Sequence, residues 1–294
     1  MTNRGIGEGS LPQTEEDVFG WGTAAVPATS SPRLPQMPSM PRITPTTGVT
    51  PGSRAESAVA GLTSIPMLAA ILAAVTALAL GPASELDVRL HGHWAEELTP
   101  ELLPLFRDVL DKVAGQSVCL PVLALVAGAL AWRHRSWRPL ACAALAEAAF
   151  FLGIGGMKIL FARPAPKLGN PEFFAGGLLR EGWYGISFPS GHAAESVLIY
   201  GMVVYLLVHW TRRGARAARW LTLVVAAIAC HASVVSFWLG WHWVTDLVAG
   251  AVAGTLLLRL VIEADRRGWL PGRAPRAPEV PEGRDAETTP EASP

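Results

Sequence analysis

Charge is scarce in this 294-residue chain: 16% of its residues are Asp, Glu, Lys or Arg, against roughly 25% in an ordinary soluble domain, while 50% are hydrophobic. That deficit excludes an ordinary water-soluble globule and points to lipid. The 24 basic residues balance the 24 acidic ones, so no basic excess suggests a nucleic-acid partner. Cysteine is rare as well. Cys119, Cys142 and Cys230 all lie in apolar runs, at no metal-ligand spacing and in no disulfide framework, and are expected to be small core residues. Lysine is rarer relative to its partner, three against 21 arginines, which with the abundance of alanine suggests GC-rich bacterial coding.

Long apolar runs are what the chain has instead. Six of them, at about 61–82, 114–132, 139–161, 193–211, 220–241 and 243–263, reach the ~20 helical residues that a bilayer crossing takes. The fold class expected is all-α, a six-helix membrane bundle over 61–265. Residues 1–60 and 266–294 are rich in Pro, Ser, Thr and Gly and have no apolar period, so they are expected to be disordered tails, the first of them not a secretory signal. The basic links WRHRSWRP, TRRGARAARW and EADRRGWLPGR place their ends of the bundle in the cytoplasm, together with both termini. The acidic link SELDVRLHGHWAEELTPELLPLFRDVLDK then lies outside, with a short amphipathic helix around 100–113. Trp132, Trp137, Trp210 and Trp220 stand near span ends, as interfacial tryptophans do.

In this topology, polar residues from distant parts of the chain meet at the outer face. Lys158 and Arg163 lie at the exit of the third span, Ser190 and His192 at the entry of the fourth, and His242 and Asp246 between the fifth and sixth. His242 and Asp246 are four apart, so on one helical face the carboxylate can orient the imidazole and leave its other nitrogen as a nucleophile; a capped helix terminus is the structural alternative. Pro189-Ser190-Gly191 offers a serine cap, close backbone approach and free amides at a helix start, a cradle suited to phosphate, or an ordinary turn. Lys158 is either a point charge for that phosphate or an interfacial anchor.

Three motifs carry a resemblance. KILFARPAP from Lys158 to Pro166, FPSGH from Phe188 to His192 and VSFWLGWHWVTD from Val235 to Asp246 resemble, in order and spacing, those of the type 2 phosphatidic acid phosphatase superfamily, which includes the vanadium haloperoxidases. The resemblance covers about residues 60–265. It implies that His242 attacks phosphorus to form a phosphohistidine, that Asp246 orients it, and that His192 protonates the leaving oxygen. It implies too that Lys158, Ser190 and the Gly191 amide hold phosphoryl oxygens, with no metal and no other cofactor. Both arginines of the family pattern are absent: Ala165 and Ser236 stand in their places, and Val235 replaces a serine. Arg163 is expected to compensate at the phosphate, with Lys167 and Arg180 as further sources of charge.

Other polar residues receive structural readings. Glu147 lies 11 positions before Lys158, roughly 16 Å deeper along a helix, and reads as a buried structural acid. Glu195 either tunes His192 or stabilises the helix start. His231 reads as a satisfied core histidine, and Gly250 with Gly254 as a close-packing face. Of three function classes, a membrane phosphatase or phosphotransferase acting on a lipid phosphate or polyprenyl diphosphate leads. A silent lipid-phosphate binder is favoured by Ala165 and Ser236. A transporter is disfavoured, because its polar residues belong near the midplane.

Overall fold

The computed structural model describes residues 61, 63–91, 94–211 and 213–272, all within one compact unit, 49–294. The expected tail at 1–60, and everything beyond Gly272 in the one expected from 266, lie outside the described residues. Within them the chain is helical, without strands. The principal helices are α1 (Ile65–Leu80), α2 (Gln116–His134), α3 (Arg138–Ala149, continuing through Phe150–Ile154 and Gly155–Phe161), α4 (Gly191–Thr211), α5 (Ala215–Trp238) and α6 (Val244–Arg266).

Among the described residues, five helical stretches are long and apolar enough to cross a bilayer: Pro100–His134, Arg138–Leu168, α4, α5 and α6. The first span, expected over 61–82, is met in part by α1. The 16 residues of α1 reach only about 24 Å at 1.5 Å per residue, short of a hydrocarbon core of about 30 Å. A sixth crossing exists only if α1 is joined to Ala83–Leu98, which bends away from it by 67°. The break falls at Gly81-Pro82, where glycine caps α1 and proline has no N–H to continue the ladder. The stretch expected as an amphipathic helix is helical but irregular, winding through short tight and wide turns from Pro100 to Ala114.

Helix α4 is the centre of the bundle. Ala193, Ala194, Leu198, Ile199, Met202 and Leu206 are buried on more than one of its faces, because α2, α3 and α6 pack around it. Cys119 and Leu123 from α2, Cys142 and Ala146 from α3 and Val261 from α6 complete that core. The third cysteine departs from expectation: Cys230 is exposed on α5. That helix lends the interior only part of one side. Arg216 and Arg219, expected in the preceding loop, belong to the first turns of α5.

Gly250 and Gly254 seat α6 against the start of α4. A Cβ at Gly250 would stand 2.4 Å from the Ser190 carbonyl oxygen, and one at Gly254 2.5 Å from that of Ala194, so only hydrogen fits at either place. At the far end, Asp265 of α6 is buried against Arg138 of α3 at 2.6 Å and the Tyr205 hydroxyl of α4 at 2.5 Å. Three helices are tied there by one carboxylate, and Trp269 and Leu270 continue past the helix end in a turn.

Candidate active site

The loop between α3 and α4 folds back on itself, which sets the first two motifs side by side. Ala162 ends α3 in the left-handed region at φ 40°. The two limbs then exchange backbone hydrogen bonds: Ser187 N–H to Arg163 O at 2.7 Å, Ala165 N–H to Tyr184 O at 2.7 Å, and Gly176 N–H to Ala162 O at 2.8 Å. Gly176 is required here, because a Cβ would lie 2.2 Å from the Gly185 carbonyl oxygen. Phe188 is buried between Phe161 and Phe173, with ring centroids at 5.2 and 5.0 Å, and anchors the returning limb. The third motif joins through Trp243 Nε1–H to Pro164 O at 2.8 Å and Ser190 N–H to Asp246 O at 2.9 Å.

At this end of the bundle the two imidazoles face each other. The ring centroids of His192 and His242 are 6.2 Å apart, with the planes inclined by 63°. His242 Nδ1 lies 3.7 Å from Asp246 Oδ2, an electrostatic contact longer than a hydrogen bond. The other ring nitrogen is directed away from that carboxylate. Asp246, 0% exposed, is also the cap of α6, its Oδ2 accepting the Trp243 N–H at 3.0 Å. The alternatives of capped terminus and oriented base therefore coincide in one side chain. His242 lies between the membrane-crossing helices, and burial drives its pKa down from 6.5 to about 4. The charges of Lys158 and His192 push the same way, and Asp246 opposes them.

Lys158 and Gly191 are neighbours, since a Cβ at Gly191 would meet the lysine Cε at 3.5 Å. The ammonium donates to the carbonyls of Ile186 at 2.9 Å and Ser187 at 3.2 Å, directly before the Ser190-Gly191 turn. Ser190 is buried, and its hydroxyl accepts the Ala193 N–H at 3.4 Å at the start of α4.

Arg163, expected at the phosphate, is elsewhere. It is 0% exposed and its guanidinium is engaged behind Asp246: with Asp246 Oδ1 at 2.7 Å, the Thr245 hydroxyl at 2.8 Å, Asp87 Oδ2 at 2.8 Å and Pro171 O at 2.9 Å. Phe173 and Trp243 cover its faces. The physical reason is that a guanidinium without water settles where carboxylates neutralise it. Nor do the loop charges reach the histidines. Lys167 pairs with Glu96 at 2.5 Å, while Arg180 donates to the carbonyls of Ala175 and Gly176 and pairs with Glu181. Ala165 and Ser236 are both buried, and the Ser236 hydroxyl has no partner among the described residues.

Two acids of the link between the first two apolar runs were not expected here. Asp87 holds Arg163, and Asp111, buried just before α2, places Oδ1 3.2 Å from His192 Nε2 without hydrogen-bond alignment. Asp111 stands between Leu110 and Lys112 in the charged run RDVLDK, so no local sign in the sequence marks its burial. Glu147, expected to be buried, and His231, expected in the core, are both half-buried. His231 Nε2 meets Leu110 O at 3.0 Å, Gln116 donates to Glu147 at 3.4 Å, and Glu195 is buried with Oε1 unpartnered among the described residues.

Residues 136–268 match the model of the PAP2 superfamily. The PAP2 match bears out the resemblance carried by the three motifs, and it takes in Lys158, His192, His242 and Asp246. A crystal structure of a transmembrane PAP2-type phosphatidylglycerolphosphate phosphatase from Bacillus subtilis shares the fold: it covers 69% of this chain and 96% of its own, with a TM-score of 0.57 at 20% identity. Over 81 residues, 28% of this chain, the sequence is 31% identical to phosphatidylglycerophosphatase B of Bacillus subtilis. Over 70 residues, 24% of this chain, it is 36% identical to lipid A 4'-phosphatase of Bacteroides thetaiotaomicron. The chain spans 40% and 27% of the length of these two curated relatives. With its apolar helices and this transmembrane fold, the chain is a multi-pass membrane protein, and its residues 136–268 are similar to the PAP2 superfamily.

Proposed function

We propose that this protein is a membrane phosphatase that hydrolyses a lipid phosphate or diphosphate through a phosphohistidine. The observation that carries the reading is the pair of facing imidazoles, 6.2 Å apart, each backed by a buried carboxylate. His242, neutral above about pH 4, attacks phosphorus with the nitrogen turned away from Asp246. The bond from phosphorus to the leaving oxygen breaks as the new P–N bond forms, and His192 gives that oxygen a proton. Water then attacks the phosphohistidine, its proton passes to His192, and inorganic phosphate leaves with His242 restored. Lys158, the Ser190 hydroxyl and the Gly191 amide hold the phosphoryl oxygens; preorganised donors in a site shielded from water act on the charge that develops.

The relatives' names speak for a glycerophospholipid phosphate or a lipid A phosphate as substrate; polyprenyl diphosphates present the same oxygens. The arginine-rich links lie away from the histidines, and the positive-inside rule supports a site on the extracytoplasmic face with both termini in the cytoplasm. A membrane domain at 61–265 remains our reading of the chain's organisation.

Purified protein incubated with phosphatidic acid, phosphatidylglycerol phosphate and undecaprenyl diphosphate should release phosphate from at least one, and His242→Ala should abolish that release. Release unchanged by the substitution contradicts the nucleophile. A second reading, a silent lipid-phosphate binder, is favoured by Arg163, which is spent on Asp87 and Asp246 and leaves Lys158 as the cation at the cradle. Tight binding without turnover on every substrate decides for it.

A further inference from the structure

The carboxylate behind Arg163 comes from outside the family match. Asp87 sits on the short helix Ala83–Arg89, more than 40 residues upstream of residue 136, and is 1% exposed. Its Oδ2 accepts from Arg163 at 2.8 Å and from the Thr245 hydroxyl at 2.5 Å, and its Oδ1 accepts the Thr245 N–H at 3.1 Å. Arg163 reaches Asp246 on its other side at 2.7 Å. The series Asp87, Arg163, Asp246, His242 thus runs from the link between the first two apolar runs to the imidazole, and its three charged members are buried.

Two consequences follow from that arrangement. The guanidinium fork is planar and fixed, so acceptors on both sides determine where it presents its N–H to Asp246. With a second carboxylate on its far side, the guanidinium is shared, and Asp246 keeps negative charge toward His242 that a lone Arg163–Asp246 pair would neutralise. Thr245, gripped by Asp87 through amide and hydroxyl, holds the first turn of α6 in register beneath Asp246.

We propose that Asp87 is a positioning residue, which orients Asp246 and through it His242 by holding Arg163 and Thr245 at the N-terminus of α6. Its catalytic consequence rests on the phosphatase reading, but its electrostatic one does not. His242 is faced by Asp246 from α6, Lys158 from α3 and His192 from α4. Arg163 and Asp87 stand behind Asp246, and Asp111 stands beside His192.

The test uses the full chain in detergent, labelled with [15N]histidine, with the His242 signal identified by its loss in His242→Ala. Asp87→Asn removes an anion and should lower the His242 titration midpoint, while Arg163→Gln removes a cation and should raise it, each by about half a pH unit or more. A residue that only holds the fold together does not produce shifts of opposite sign. The apolar double variant Asp87→Leu with Arg163→Met removes the Asp87–Arg163 pair and leaves Asp246 buried without its guanidinium, so its unfolding temperature should fall. In the molecules that remain folded at low temperature, kcat on the lipid phosphate should drop about 100-fold while KM stays within about threefold. Shifts of one sign or none, or full kcat in the folded double variant, overturn the proposal. A wild type without turnover defeats the phosphatase reading, and the titration then decides the role of Asp87.

Discussion

His192 and His242 face one another across 6.2 Å, and each imidazole has a buried carboxylate beside it, Asp111 for the first and Asp246 for the second. The two pairs are built differently. Asp246 belongs to α6 itself and is held by Arg163 and the Trp243 amide, whereas Asp111 arrives from the irregular helical stretch that precedes α2.

That difference gives the first prediction. Asp111→Asn keeps the shape beside His192 and removes the charge, so phosphate release should slow about 10- to 100-fold with little change in KM, less than for His192→Ala. Single-turnover kinetics on the best lipid substrate read both values. An Asp111→Asn variant as fast as wild type removes the carboxylate from the mechanism.

A second prediction concerns pH. Burial lowers His242 to about 4, so its free-base form, the one able to attack phosphorus, persists well below the ordinary histidine range. The acid limb of kcat/KM should fall near pH 4 rather than 6.5. The linkage has a definite sign: the unfolded chain takes up this proton near 6.5 and the folded one only near 4, so stability declines as pH falls between those values. A pH–rate profile bending at 6.5, and abolished only with His242, contradicts the burial.

Packing at the two glycines of α6 supports the cradle directly. Gly250→Ala would put a Cβ 2.4 Å from the Ser190 carbonyl oxygen, a backbone atom with no flexible end to yield. Overpacking of this kind costs about 1–3 kcal/mol. Because the displaced residue belongs to the proposed phosphate cradle, activity should fall along with the thermal unfolding temperature. Loss of neither would show that the helices separate freely there.

At the opposite end, Asp265→Ala leaves the half-buried Arg138 and the Tyr205 hydroxyl without their carboxylate and should destabilise the bundle by about 1–3 kcal/mol. Molecules that remain folded at low temperature should hydrolyse substrate with wild-type KM, since this end is remote from the histidines. Unfolding scans and kinetics on the same sample separate the two effects.

The residues of the site were legible where a local motif marks them. Lys158, Ser190-Gly191, His192 and His242 with Asp246 gather at one end of the bundle because the chain reverses between apolar runs, and that reversal is written in the hydropathy. Gly250 and Gly254 were legible for the same reason, as a small-residue face at helical spacing. Asp87 was not, because its partners lie 76 and 158 positions away and an acid in an acidic link carries no local mark of burial. Arg163 shows the reverse failure. Its place in the motif pointed to phosphate, but without solvent its charge is held by the two carboxylates that flank it. The bend after α1 also escaped hydropathy, which registers how apolar a run is and not that Gly81-Pro82 interrupts its hydrogen bonding.

The most direct test is to trap the covalent species. Wild-type protein mixed with 32P-labelled lipid phosphate and quenched within one turnover should carry label that survives alkali and is lost in acid, as a P–N bond does, and His242→Ala should carry none. Steady hydrolysis by wild type with no trapped label at any quench time, or equal labelling of His242→Ala, would contradict the account.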